Sequence, residues 1–312
     1  MALKELDNSN ISKHLGQSSQ YKDTYDPELL VREPRASNRT HLDIDDDNLP
    51  FDGGDTWNAY EVSGLTDHGL PVVGIAKVYI PCNSEFIVES KSFKLYFNSF
   101  NMTKLGKNQA EVLKTIERNA QADLSDLLER NVEVRVDTNE HVLSEVTTAN
   151  DEWGHNYREF SHITLEEEYP IDDLEFTVYQ ETPELLVTVQ NDVDVVRYHS
   201  ALLKSNCRVT SQPDWGDVYI EIEGDKAVDP ISLLKYIVSF RDECHFHEEI
   251  CETIYKRLYD ILEPDKLAVR CLYARRGGID INPVRASSQD LIEKYAANLI
   301  DPEAVHIKTS KQ

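Results

Sequence analysis

Two octapeptides far apart in this chain are alike: KLYFNSFN (Lys94 to Asn101) and LKYIVSFR (Leu234 to Arg241). Each precedes a helix-patterned stretch with a Thr-Ile pair, Thr115-Ile116 in one and Thr253-Ile254 in the other. Such a repeat constrains the fold more than any single segment, because a duplicated unit brings the same order of elements twice.

The surrounding patterns agree. Leu70 to Ile80 is apolar and β-branched, Pro81-Cys82-Asn83 reads as a turn, and Phe86 to Glu89 reads as a second strand. Helical spacing follows over Ser92 to Phe100 and Gln109 to Leu128, where Val112, Ile116, Ala120 and Leu124 form one stripe, and Val132 to Val136 alternates as a strand. In the second half Asp217 to Ile222 alternates as a strand. Asp229-Pro230 opens a helix to Phe240 with the Asp as cap, a further helix runs from Phe246 to Leu262, and Leu267 to Tyr273 is a strand. Strands with paired helices, rather than strict alternation, predict an α+β fold of antiparallel sheets with the helices on one face.

Four segments are expected. They are a polar, acidic extension (1–56), a first module (57–138), a linker with strands at Leu174 to Tyr179 and Leu185 to Val189 (139–195), and a second module (196–312). The acidic stretch Asp43 to Asp55 reads as a solvated face.

With 57 acidic and 32 basic residues the formal charge is −25, which repels nucleic acid and anionic lipid. An anionic small molecule needs local cations, for which Lys91, Lys94, Arg275 and Arg276 are the candidates. The five cysteines are scattered without paired spacing, so a reducing cytoplasm is expected rather than a disulfide framework. No run approaches the roughly 18 apolar residues of a membrane span, and the first residues lack an apolar signal core, so a soluble, unexported protein is expected. No glycine pattern of the dinucleotide-binding or P-loop type is present.

The candidate chemistry lies in Ser205 to Trp215, where Cys207 stands seven residues before Asp214. A thiol can attack an electrophilic carbon, and a carboxyl between Pro213 and Trp215 can hold or pass a proton. Read alone, the spacing is a weak signal and favours a core cysteine followed by a surface turn. A second candidate is ESKSFKLYF (Glu89 to Phe97). It leaves a strand and enters a helix, placing hydroxyls, backbone donors and two ammonium groups near a helix N-terminus, as an anion requires.

ESKSFKLYF resembles the signature of the NADPH-dependent 7-cyano-7-deazaguanine reductases of queuosine biosynthesis. The Cys207 to Asp214 segment, Phe246-His247-Glu248 and Arg276-Gly277-Gly278 resemble three further segments of that family, in the order of its long, two-module branch. The resemblance implies the tunnelling fold, in which modules of paired strands and helices close a barrel, and hence a homodimer. It implies that Cys207 adds to the nitrile carbon and that Asp214 moves the protons. It also implies that Val88, Glu89, Ser90, His247 and Glu248 contact the deazapurine, and that Ser90, Lys91, Arg276 and Gly277 contact NADPH. Two NADPH are needed to take a nitrile to an amine. No metal, no direct nucleic acid and no membrane is implied.

Cys244, His245, His247 and Cys251 admit a metal reading, since His247 and Cys251 share a helix face. Three rivals remain on the residues alone: a Cys-dependent nitrile hydrolase, a zinc-dependent pterin or purine enzyme, and a purine-binding module with an idle thiol. Cys82 and Cys271 read as small buried hydrophobes, and Trp57 and Trp153 as core or interface.

Overall fold

The computed structural model describes residues 22–138, 162–300 and 311–312. Trp153 and most of the expected linker's first part lie outside the described residues.

The first half holds β1 (Arg32–Pro34), α1 (Ala36–Arg39), β2 (Asp52–Thr66), β3 (Pro71–Pro81) and β4 (Phe86–Val88), then α2 (Ser90–Ser99), β5 (Lys104–Gly106), α3 (Gln109–Leu128) and β6 (Glu133–Asp137). The second opens with β7 (Ile163–Thr164), α4 (Leu165–Glu168), β8 (Thr188–Gln190), β9 (Val195–Ser200), β10 (Lys204–Asn206), β11 (Pro213–Glu223) and β12 (Lys226–Val228). It continues with α5 (Pro230–Ser239), α6 (His247–Leu262), β13 (Lys266–Tyr273), β14 (Ile279–Ala286) and α7 (Gln289–Ile300).

One ten-stranded sheet runs in the order β6-β3-β2-β14-β13-β11-β9-β7, with β10 on β11 and β5 on β2. All pairs are antiparallel except β2 with β5 and β7 with β9. A helix pair joins β3 to β6 in one half and β11 to β13 in the other, the repeated order that the two octapeptides foretell.

Local sequence explains the helices. In α3 Val112, Ile116, Ala120, Leu124 and Leu128 recur every four residues and are all buried against the sheet. Asn108 caps its N-terminus by accepting from Glu111 N. Asp229 accepts from Ser232 N at the start of α5, with Pro230 in the first turn. Leu267, Val269, Cys271 and Tyr273 of β13 face α5 and α6, while Ala268 and Leu272 face the other way and pack under α7. Trp57, Cys82 and Cys271 are buried.

Four expectations are corrected. The strand β2, unforeseen, begins at Asp52, so the first sheet starts before residue 57; its three glycines and polar alternate positions hide it from a hydrophobic pattern. Gly53 is required there, since a Cβ on it would lie 2.2 Å from Val284 O. The expected hairpin of Leu70 to Ile80 with Phe86 to Glu89 does not form, because β3 pairs with β2 and β4 with β1. Leu174 to Tyr179 joins no ladder, and only the end of the expected strand at Leu185 to Val189 lies in β8. Lastly, Asp55 is not solvated. It is fully buried between Arg35 Nη2 at 2.6 Å and Arg285 Nη1 at 2.9 Å.

Candidate active site

β10 and β11 form a hairpin whose loop is residues 207–212. Asn206 stands opposite Pro213 and Ser205 opposite Asp214. Cys207 N donates to Gln212 O at 2.8 Å and Ser211 N to Cys207 O at 2.9 Å, and Ser211 closes the loop in the left-handed region at φ 54°. The Cys-to-Asp spacing is therefore the length of a closed loop, and both side chains stand at its neck. Cys207 and Asp214 are 5% and 6% exposed.

The loop's outer flank is zipped to the entry of α6. Asn206 N donates to Glu243 O at 2.7 Å and His245 N donates to Asn206 O at 3.1 Å, which fixes His247 and Glu248 beside the hairpin. His247 Nε2 lies 3.5 Å from Asp214 Oδ2, and its ring packs on Tyr273 with centroids 4.0 Å apart.

Arg208, next to the thiol, pairs with Glu249 at 2.9 Å, and Glu249 also accepts from Phe246 N at 2.9 Å to cap α6. His245 lies between Glu249 at 3.3 Å and Glu243 at 3.2 Å. Burial pulls its imidazole down, but the two carboxylates outweigh it and hold it up at about 9.

Glu248 is 3% exposed. Burial, and after it the Asp55 carboxylate, push its carboxyl up to about 8 against the pull of Arg35 and Arg285. No side-chain hydrogen bond to it is found among the described residues, so it can take donors from a ligand.

The third element is the β13–β14 turn. Arg276 N donates to Ile279 O at 2.9 Å, and Gly277 and Gly278 take φ of 62° and 80°, the pair of left-handed residues that a two-residue hairpin turn needs. Arg276 Nη1 reaches Asp214 Oδ1 at 2.5 Å. A Cβ on Gly277 would lie 3.4 Å from Lys94 Nζ, so α2 and this turn meet. Lys94 pairs with Glu61 at 3.3 Å, and Arg275 stacks over the Tyr60 ring at 3.5 Å.

On the first half, Glu89 is the N-cap of α2 and accepts from Lys91 N at 2.9 Å and Ser92 N at 2.7 Å. The backbone donors that the sequence offers to an anion are thus already taken by Glu89, and the side chains of Lys91 and Lys94 are what remains for one. Glu89 N donates to Val31 O at 2.8 Å, Val88 is buried in the first core cluster, and Ser90 is half-buried at the first turn of α2. Glu33, on β1, is the bridge between the halves. Burial raises its carboxyl, Arg208 opposes this, and Glu89 and Glu249 add to it.

The structure therefore brings Asp214, His247, Arg276 and Gly277 together, with Lys94 beside them and Glu248 next to His247; Cys207 begins the loop that Asp214 follows, and Glu89 caps α2. Sequence reasoning missed Arg208, Glu33, Asp55 and Tyr273, which act through contacts across the fold and carry no local motif. Among the described residues, no group of three or more His, Cys, Asp or Glu side chains is placed to hold a metal ion.

A buried thiol, a carboxylate paired with a guanidinium and a buried carboxyl are the side-chain types that nucleophilic and proton-transfer chemistry requires. Residues 21–136 match the family model described as nitrile reductase, 7-cyano-7-deazaguanine-reductase N-term, and residues 213–291 match that of QueF-like protein. The chain is 41% identical over 286 residues to the NADPH-dependent 7-cyano-7-deazaguanine reductase of Legionella pneumophila (strain Lens), covering 92% of this chain and 93% of the relative. It is 40% identical over 278 residues to the enzyme of the same name from Colwellia psychrerythraea, covering 88% and 91%. A crystal structure of the archaeosine synthase QueF-Like in the apo form aligns at 20% identity and TM-score 0.29 over 31% of this chain and 95% of its own. The chain belongs to the 7-cyano-7-deazaguanine reductase family.

Proposed function

We propose that this enzyme reduces the nitrile of 7-cyano-7-deazaguanine to the 7-aminomethyl compound with two NADPH, in queuosine biosynthesis, through a covalent thioimide on Cys207. The observation that supports the reading is the β10–β11 hairpin, whose closed loop begins at Cys207 and whose Asp214, just past that loop, is held by Arg276 and His247.

A nitrile accepts hydride sluggishly. Addition of the Cys207 sulfur to its carbon, with the thiol proton passed through Asp214 to the nitrogen, turns it into a C=N that is more readily reduced. Arg276 and His247 hold Asp214 for both proton movements. Glu248, as a carboxylate, accepts the two N–H donors of the guanine-like edge, which rejects bases lacking them. Val88, Glu89 and Ser90 complete the base pocket.

The residues fit a phosphate-bearing cofactor. Lys94 and Arg276 meet at Gly277, whose φ of 62° favours glycine, while Lys91 on α2 adds a further positive charge and Ser90 a hydroxyl. When bound there, NADPH supplies the hydride for each of the two reductions. The acidic remainder of the chain makes this local gathering of cations the place for an anion.

In this reading the two halves are tandem tunnelling-fold modules, preceded by the N-terminal extension and separated by the linker. A homodimer closes the barrel, and the protein works in the cytoplasm on a free base rather than on nucleic acid. No helix among the described residues is long and apolar enough to cross a membrane.

The test is incubation with the nitrile base and NADPH. Expected are loss of two NADPH per amine formed, and in the absence of NADPH an intact-mass adduct that Cys207→Ala abolishes. Turnover or an adduct in Cys207→Ala would sink the reading, and so would product formation without NADPH, which would point to a hydrolase.

A further inference from the structure

Tyr273, the last residue of β13, carries a hydroxyl that is wholly enclosed and has no hydrogen-bond partner among the described residues. Its position is prepared by the sheet. The residue opposite it on β11 is Gly216, where a Cβ would lie 3.2 Å from the ring carbons, so the absent side chain gives the phenol its space. On its other side the ring lies against His247 at 4.0 Å and a 40° tilt, and His247 turns its Nε2 to Asp214 at 3.5 Å.

A buried donor without an acceptor destabilises the free protein, so a site that keeps one is built for an acceptor that arrives with a ligand. Burial first, then the Cys271 and Cys251 thiols, then the Asp214 and Glu248 carboxyls raise the phenol well above its ordinary value, so it remains a donor. One ring, that of His247, lies between it and Asp214, and Glu248 is the residue next to that ring. On 7-cyano-7-deazaguanine the edge read by Glu248 and the nitrile attacked by Cys207 are separated by one group, the ring carbonyl. That carbonyl oxygen is an acceptor.

We infer that Tyr273 is a substrate-binding residue whose hydroxyl donates to the ring carbonyl oxygen of the base. The inference rests on the functional reading above, and it deepens that reading by assigning the acceptor between the two ends of the substrate. With His247 Nε2 turned to Asp214, the phenol is an enclosed neutral donor in this part of the site.

The experiment is Tyr273→Phe in the full chain, assayed by initial rates with NADPH on 7-cyano-7-deazaguanine and on 2-amino-7-cyano-7-deazapurine, which lacks the carbonyl oxygen and with it the ring N–H. Both enzymes lose that Glu248 contact alike, so the ratio of variant to wild type on each base is compared. The variant is expected to melt no lower than wild type and to keep its KM for NADPH. Its KM for the carbonyl-bearing base should rise about tenfold, while wild type and variant handle the carbonyl-free base alike. Equal KM values for the carbonyl-bearing base overturn the inference, as does an equal loss on both bases. A lower melting temperature overturns it too, because the hydroxyl would then be paired already. Wild type that neither binds nor reduces the natural base instead overturns the functional reading beneath it.

Discussion

Arg276 Nη1 lies 2.5 Å from Asp214 Oδ1, so the two-glycine turn between β13 and β14 touches the carboxylate that stands at the neck of the Cys207 loop. One guanidinium thus serves two ends of the site. It orients the proton-moving group, and it carries positive charge where α2 brings Lys94.

Arg276→Ala should therefore raise KM for NADPH and slow reduction together, whereas Asp214→Asn should slow adduct formation or reduction and leave NADPH affinity nearly intact. A hydrogen bond to a charged group contributes about 1.5–3 kcal/mol, which is roughly a ten- to hundredfold effect. Steady-state kinetics with each substrate varied in turn, beside adduct rates by mass, separate the two variants. A large loss of NADPH affinity in Asp214→Asn would mean that its role is misassigned.

Glu248 yields a pH dependence. It must be ionised to accept two N–H donors, and burial with Asp55 keeps its carboxyl up at about 8. Affinity for the base should rise between about pH 6 and 8, by at most roughly tenfold per unit, and level off above. Glu248→Gln should weaken binding and flatten that rise. The linkage to stability runs the other way: its folded value lies above the ordinary 4.5, so its contribution is full below pH 4.5 and is lost as pH rises through about 8. The melting temperature of wild type relative to Glu248→Gln should fall over that window.

Beneath Glu248, Glu252 accepts from Arg39 Nε at 2.9 Å and from Arg285 Nη2 at 2.8 Å, while Asp55 holds Arg35 and Arg285. Burial pushes Glu252 up, but Arg285, Arg39 and Arg35 outweigh it and bring it down to about 2. Its contribution to stability is present above pH 4.5 and is lost as pH falls towards 2. Glu252→Gln removes one of the carboxylates that balance three buried arginines and should destabilise the fold by about 3–5 kcal/mol near neutrality. Urea unfolding at neutral pH should show that gap, and it should narrow by about pH 3.

Much of this site was legible in the sequence, and the remainder was hidden for physical reasons. Cys207, Asp214, His247, Glu248 and Arg276 lie in short segments that resemble those of the family, and that resemblance, rather than spacing alone, singles them out. The stripe in α3 and the Asp229-Pro230 start of α5 were readable from local spacing and capping. By contrast β2 and β14 pair across the chain, Asp280 with Asn58, and their polar alternate residues and glycines resemble loop. The ion cluster is likewise long-range. Arg285 and Asp55 are 230 positions apart, so nothing near Asp55 announces that guanidinium. Tyr273 shows its importance only through what its hydroxyl lacks.

The His245 relay gives the last expectation. His245 is held up at about 9 because its two carboxylate partners, Glu243 and Glu249, outweigh the effect of burial. Glu249 in turn grips Arg208, the neighbour of the thiol, at 2.9 Å. The cationic imidazole therefore braces the Cys207 loop against the start of α6. Its folded value lies above the ordinary 6.5, so this stabilisation is complete below pH 6.5 and is lost as pH rises through about 9. His245→Gln keeps one hydrogen-bond donor but no charge. It should melt below wild type at pH 6 to 7, and the two should converge by about pH 10. At neutral pH it should also form the Cys207 adduct several-fold more slowly, while its KM for NADPH stays unchanged. A difference in melting temperature that persists undiminished at pH 10 would show that the brace does not depend on the proton.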